Sequence, residues 1–306
     1  MSPASVIIDR TRCESYFQRR SSVRASLKYR RFKVFEAMVQ QQLTLYSNKA
    51  SPFVQSVHIA LEEAQIDYAL YDIAFGPNKP KWFTEIVNPV GKVPTISYGG
   101  PQVPPDQPSP ESFKLPESIV ILEFLADIKP EAFLLPKDPV VRAKARFIIH
   151  KVQETLRSTF PGVLIGRCSF ETFLDALKEI QALLPSENGA LAVGDHFTIA
   201  DAVLIPTLMR LDLALRHDIG TFAPGEGKKV HDLIMHGTEF KRLKDYFDTF
   251  SKREAVKSSW DEVRPMLSPA RIKLNAIPGN RICLLSRSAA IGEAGTASIS
   301  ICLNNQ

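Results

Sequence analysis

Cysteine is scarce in this chain of 306 residues. The four present are Cys13, Cys168, Cys283 and Cys302, and no two of them stand in CxxC spacing. That arrangement argues against a redox dithiol or a cysteine zinc site. A single cysteine in the middle region, Cys168, fits a reducing compartment, so the cytoplasm is the expected location. The six histidines form no cluster of metal-ligand spacing, and no metal is expected. No apolar run approaches the roughly 20 residues needed to cross a bilayer, so no membrane partner is expected. A phosphate-binding glycine loop and a dinucleotide fingerprint are both missing, which leaves no basis for a nucleotide cofactor.

What is in surplus is positive charge, a formal +5. It is confined to the two ends. Residues 1–37 carry nine Lys/Arg against three acids, and residues 264–306 carry five against one. Taking out those surpluses leaves residues 38–263 with five net negative charges. Nucleic-acid binding argued from the overall basicity would therefore be unfounded, and none is expected. Residues 1–37 are rich in Arg and Ser and lack a secretory apolar region. They read as an extension without a folded role; a mitochondrial presequence is the weaker alternative, with Asp9 and Glu14 against it. Residues 264–306 lack periodicity and read as a disordered tail.

Between the ends the patterning changes character once. Leu43 to Ser47 reads as a strand, and Ser51-Pro52 as a helix start, with serine capping an orphan N–H and proline needing no donor. The predicted helix runs from Pro52 to Ala64, and Asp67 to Ile73 alternates as a second strand. These make a βαβ unit with a parallel strand pair. Val93-Pro94 opens a third strand through Ile96, with proline at a strand start and a candidate cis peptide. Residues 99–112 read as a solvated Pro-rich loop and Phe113–Leu115 as a fourth strand. Glu117-Ser118 then opens a buried helix, with Ser118 as its expected N-cap. After a linker at 129–139 the chain is predicted helical through 140–263. A first amphipathic helix over Val140–Phe160 is expected to place Phe147, Ile148 and Val152 inside. A second helix covers Phe170–Leu184. The most apolar helix follows Thr198, which stands three residues before Asp201 in capping-box spacing. Two surface helices are predicted between Glu239 and Trp260.

Ser51-Pro52-Phe53, Val93-Pro94, Glu117-Ser118 and Gly194-Asp195 through Asp201, in that order and spacing, resemble a cytosolic glutathione S-transferase over residues 43 to about 263. The stretch Asn78-Lys79-Pro80-Lys81-Trp82-Phe83, followed by Asn88 to Pro94, looks most like the omega class. That class usually carries cysteine before its Pro-Phe pair; here Ser51 stands there, as in serine-bearing fungal forms. The resemblance implies a thioredoxin-like domain at 38–128 and an all-helical domain at 140–263. It also implies a homodimer, with glutathione as co-substrate and no further cofactor.

By the same resemblance, Ser51 would face the glutathione sulfur. Val93, its geometry set by Pro94, would pair main chain to main chain with the cysteinyl unit. Glu117 would meet the ammonium and Ser118 the carboxylate of the γ-glutamyl end, while Lys79 would meet the glycine carboxylate. A serine there shifts the expected chemistry from disulfide exchange to thiolate stabilisation for attack on small hydrophobic electrophiles, or to deglutathionylation. The alternative function is a binding protein for aromatic or polyphenolic molecules. Each residue also has a plain structural reading: Ser51 as a cap only, Glu117 and Lys79 as solvated charges, Lys81 as an equal rival to Lys79.

Overall fold

A computed structural model describes residues 41–74, 76–186 and 191–260. The expectations for residues 1–37 and 264–306 lie outside the described residues. The first element, β1 (Leu43–Ser47), is buried along its whole length. It leads through a polar turn into α1 (Pro52–Glu63), whose apolar residues Val54, Val57, Ile59, Ala60 and Leu61 are all buried. β2 (Ala69–Asp72) pairs parallel with β1, and β3 (Thr95–Tyr98) pairs antiparallel on its other side. β4 (Phe113–Pro116) extends the sheet, giving the order β2-β1-β3-β4. α2 (Ser118–Ile128) follows and buries Ile121, Leu122, Leu125 and Ala126, although Val120 is 51% exposed. The mixed sheet and its two helices form the thioredoxin-like half.

The second half is helical: α3 (Pro139–Lys151), α4 (Arg157–Leu164), α5 (Phe170–Leu183), α6 (Ile199–Arg216), α7 (Glu226–His236), α8 (Lys241–Phe250) and α9 (Glu254–Ser258). The single helix expected over Val140–Phe160 is corrected here, because a π-helical turn at Val152–Leu156 separates α3 from α4. The buried stripe of α3 is Ala145, Ile148 and Ile149, which turns Phe147 outward to 49% exposure. Nor is α8 a mere surface helix: Tyr246 and Phe250 are fully buried and Leu243 nearly so. The Pro-rich loop is less solvated than expected, since Ser109 and Ser112 are buried and the Tyr46 hydroxyl donates to Pro105 O at 3.1 Å.

α6 is the centre of this half, apolar on nearly all sides and buried on nearly all sides. Its start is the expected capping box, with Thr198 Oγ1 accepting from Ala200 N and the Asp201 carboxylate accepting from Thr198 N. α1 packs against α6, and one continuous apolar core runs through sheet, α1 and helical half.

Candidate active site

Sheet register brings the distant motifs together. Tyr46 of β1 pairs with Thr95 of β3, and Thr95 pairs with Pro116 of β4. One step further along each strand lie Ser47, Pro94 and Glu117, at the same end of the sheet and about 4.8 Å apart strand to strand. α1 and α2 both begin at that end, so two helix N-termini, each with a partial positive charge, are directed there.

The turn that delivers Ser51 is held by Asn48. Its side-chain amide donates to Ile73 O at 2.8 Å, and its carbonyl oxygen accepts from Ala50 N at 3.1 Å. Ser51 N then donates to Asn48 O at 2.9 Å. Ser51 is the N-cap of α1, with Oγ accepting from Val54 N at 3.3 Å, and Pro52 occupies the first helical position. A hydroxyl has one hydrogen as well as its lone pairs. Among the described residues no acceptor takes the Ser51 hydrogen, so the capping contact leaves its donor free. The structural and chemical readings of Ser51 are thus compatible.

Asn88 organises the approach to β3. It donates to Lys92 O and Thr95 Oγ1, both at 3.0 Å, and accepts from Val90 N at 3.0 Å. The Val93–Pro94 peptide is cis, and among the described residues the backbone N–H and C=O of Val93 have no partner. Lys79 and Lys81 are no longer equivalent. Lys79 is half-buried, its Nζ donates to Gly91 O, and burial lowers its pKa, whereas Lys81 is exposed. Gly91 has φ +70°, and a Cβ there would meet Lys79 Nζ at 2.9 Å. Lys79 is therefore seated against the segment that leads into Val93-Pro94.

The opening of α2 differs from expectation. Glu117 occupies the cap position with φ 73° and ψ 111° and no side-chain capping bond, and Ser118 is the first helical residue. Among the described residues the Ser118 hydroxyl has no partner, although the residue is only 7% exposed. Glu117 is exposed. A glutamate at positive φ is strained, and such strain concentrates at binding sites.

The facing wall was not legible as a site. Arg157 of α4, 7% exposed, donates to Ser56 Oγ at 3.2 Å, Thr207 Oγ1 at 3.2 Å and Val203 O at 2.9 Å. Its guanidinium lies 4.6 Å from the Phe53 ring centroid, and its buried Nη1 has no partner. Arg210 of α6, half-buried, donates to Gln55 Oε1, to Pro206 O at 3.1 Å and to Lys49 O at 3.4 Å. Trp260 covers it, 5.1 Å from ring centroid to guanidinium. Burial draws Arg157 down to about 10; burial and the nearby Arg157 charge draw Arg210 down to about 9. The available signal was an arginine within the most apolar helix, a position where an unpaired charge is costly. Among the described residues, no group of three or more His, Cys, Asp or Glu could hold a metal ion, and no helix is long and apolar enough to cross a membrane.

A thioredoxin-like sheet with a cis-proline, followed by a helical half, defines the class. Residues 50–128 match the glutathione S-transferase N-terminal domain family, and residues 145–249 match the C-terminal domain family. The chain belongs to the glutathione S-transferase family and is a glutathione S-transferase, with glutathione as co-substrate. More particularly, it is of the omega type. It is similar to the glutathione transferase Omega 1C structure from Trametes versicolor at 41% identity and TM-score 0.70, covering 73% of this chain and 92% of that one. Omega 2S from the same organism, solved with 2,4-dihydroxybenzophenone, is 38% identical with TM-score 0.68, covering 74% of this chain and 97% of that one. A probable maleylacetoacetate isomerase from Caenorhabditis elegans is 32% identical over 56% of this chain and 79% of that protein.

Proposed function

We propose that Ser51 stabilises the glutathione thiolate for attack on small hydrophobic electrophiles, or for deglutathionylation by attack on the sulfur of a glutathione conjugate, which forms glutathione disulfide as the C–S bond breaks and the departing enolate carbon takes up a proton. The observation that carries this reading is the division of labour at the Ser51 hydroxyl: its oxygen caps α1 through Val54 N, and its hydrogen remains available. A free thiol ionises near a pKa of roughly 8.5. One charge-assisted hydrogen bond together with the α1 terminus would lower that by roughly one to two units. In this reading Val93, with Pro94, pairs with the cysteinyl unit, Glu117 and Ser118 hold the γ-glutamyl end, and Lys79 exchanges Gly91 O for the glycine carboxylate. In this reading the electrophile is held between the two halves, whose boundaries at 128 and 139 are those read from the sequence.

Titrating the thiolate absorbance of bound glutathione in the protein and in Ser51→Ala tests this, alongside turnover with a chloronitrobenzene, an isothiocyanate and a glutathionylated phenacyl ketone. The expected result is a thiol pKa about one unit higher in the variant, the share of the hydrogen bond, since the α1 terminus remains. An unchanged pKa with unchanged turnover would remove Ser51 from the mechanism.

A second reading is a binding protein for aromatic or polyphenolic molecules, favoured by the dihydroxybenzophenone held by the Omega 2S relative. Dye and polyphenol binding without turnover on any of the three substrates would favour it. We also propose a homodimer acting in the cytoplasm. Its support is the exposed apolar set Val120 and Phe147, beside the Glu123–Arg146 ion pair that joins α2 to α3, together with exposed Phe113.

A further inference from the structure

Beside the turn that carries Ser51, the helical half contributes two buried or half-buried cations, Arg157 and Arg210, and among the described residues no carboxylate pairs with either. Ser51 and Gln55 are four residues apart and share one face of α1. Arg210 touches Lys49 O before Ser51 and Gln55 Oε1 after it, so its guanidinium straddles the turn that carries Ser51. Arg157 stands behind, close enough to lower the Arg210 pKa, with Nη1 buried and unpartnered. Buried guanidinium groups are ordinarily matched to carboxylates or phosphates. Here each is met only by neutral oxygens and by an aromatic ring, Phe53 for Arg157 and Trp260 for Arg210. The α1 N-terminus adds a third positive contribution on the same side.

We propose that Arg210, backed by Arg157, forms a carboxylate-recognition subsite for the second substrate, so that the enzyme prefers aromatic electrophiles bearing an acid group over their neutral counterparts. The inference rests on the reading that glutathione sulfur lies at Ser51. The flanking Trp260 and Phe53 rings suit an aromatic body, and the partly accessible Arg210 fork suits a planar carboxylate. Arg157, which is enclosed, acts through its field and by holding α4 against α1 and α6, and so is a positioning residue. The carboxylates of glutathione itself go elsewhere in this reading, to Ser118 and Lys79 on the sheet half.

The test compares S-(4-carboxybenzyl)glutathione with S-benzylglutathione by calorimetry, a pair that differs only in the added acid. Turnover of 4-chloro-3-nitrobenzoate against its methyl ester is measured beside it. The native protein is expected to bind the carboxylated conjugate about tenfold more tightly. Arg210→Gln brings that ratio to about one, and Arg210→Lys keeps part of the preference through its charge. In turnover, Arg210→Gln lowers kcat/KM for the acid more than for the ester. Equal affinity for both conjugates in the native protein overturns the subsite while leaving the glutathione reading standing. An equal loss for both in Arg210→Gln overturns it too, because it would assign the guanidinium to the thiolate or to the fold. Failure of the native protein to bind either conjugate removes the glutathione reading, and this inference with it.

Discussion

Replacing Asp201 by alanine tests how the helical half is held together. The carboxylate is fully buried and accepts from four donors: Ala192 N at 2.8 Å, and Thr198 N, Thr198 Oγ1 and the Tyr246 hydroxyl, each at 2.9 Å. It therefore ties the loop before α6, the α6 cap and α8 to one point. Without it, the Ala192 and Thr198 N–H groups are stranded in the interior, and the Thr198 and Tyr246 hydroxyls, which can rotate, lose their acceptor. An unmade buried hydrogen bond costs about 1–3 kcal/mol. Against that stands the relief of a desolvated charge, since burial pushes the Asp201 carboxyl up against the pull of its donors. The net expected loss is about 3–5 kcal/mol, a large part of the 5–15 kcal/mol typical of a folded domain. Asp201→Asn keeps one acceptor for Ala192 N and Tyr246 but turns an amide N–H toward Thr198 N, so it should lose about half as much. Urea unfolding followed by circular dichroism gives both values. A loss under about 1 kcal/mol in Asp201→Ala, or equal losses in the two variants, would refute the hub.

Two further outcomes follow from other contacts. Gly91→Ala should destabilise the protein and weaken glutathione binding, because φ +70° disfavours a side chain and the new Cβ displaces Lys79; an unaltered glutathione Kd would detach Lys79 from the site. His58 lies 3.6 Å from Glu62 and edge-on to Tyr68, and burial lowers its pKa below the ordinary 6.5. Below 6.5 the unfolded chain takes up this proton more readily than the folded one, so stability is lost as pH falls from there through the folded value. His58→Gln should therefore flatten the fall in Tm between about pH 7 and pH 5; an identical slope in both proteins would show that His58 does not contribute.

Local signals carried the sheet half well. Ser51-Pro52, the strand alternation around Tyr71 and the proline before Thr95 each have a mechanism confined to a few residues, and each element formed within a residue or two of its expected place. Capping was only half legible. Thr198–Asp201 is a reciprocal pair visible in spacing alone. The start of α2 turned on the backbone of Glu117, whose positive φ puts it at the cap position, so Ser118 became the first helical residue. Phe147 turned outward because the buried stripe of α3 runs through Ala145, Ile148 and Ile149, and periodicity did not reveal the π-helical turn at Val152–Leu156 either. The arginines of the facing wall were harder still. Arg157 meets Ser56 from 101 positions away and Arg210 meets Gln55 from 155, distances over which sequence pattern carries no information about pairing.

The seam between the halves also sets a rule for recombination. Lys49, Gln55, Ser56 and Glu63 all belong to the sheet half, and the guanidinium groups that meet them, from Arg210, Arg157 and Arg253, all belong to the helical half. At these charged contacts the helical half donates and the sheet half accepts, while the Gln55 amide also donates back to Met209 Sδ and Ser259 Oγ. A chimera spliced in the 129–139 segment would retain a sound sheet and a sound helical half, yet work only with a partner half that supplies guanidinium groups at these three places. Shuffling among relatives is therefore constrained less by the splice itself than by three arginines far from it in sequence.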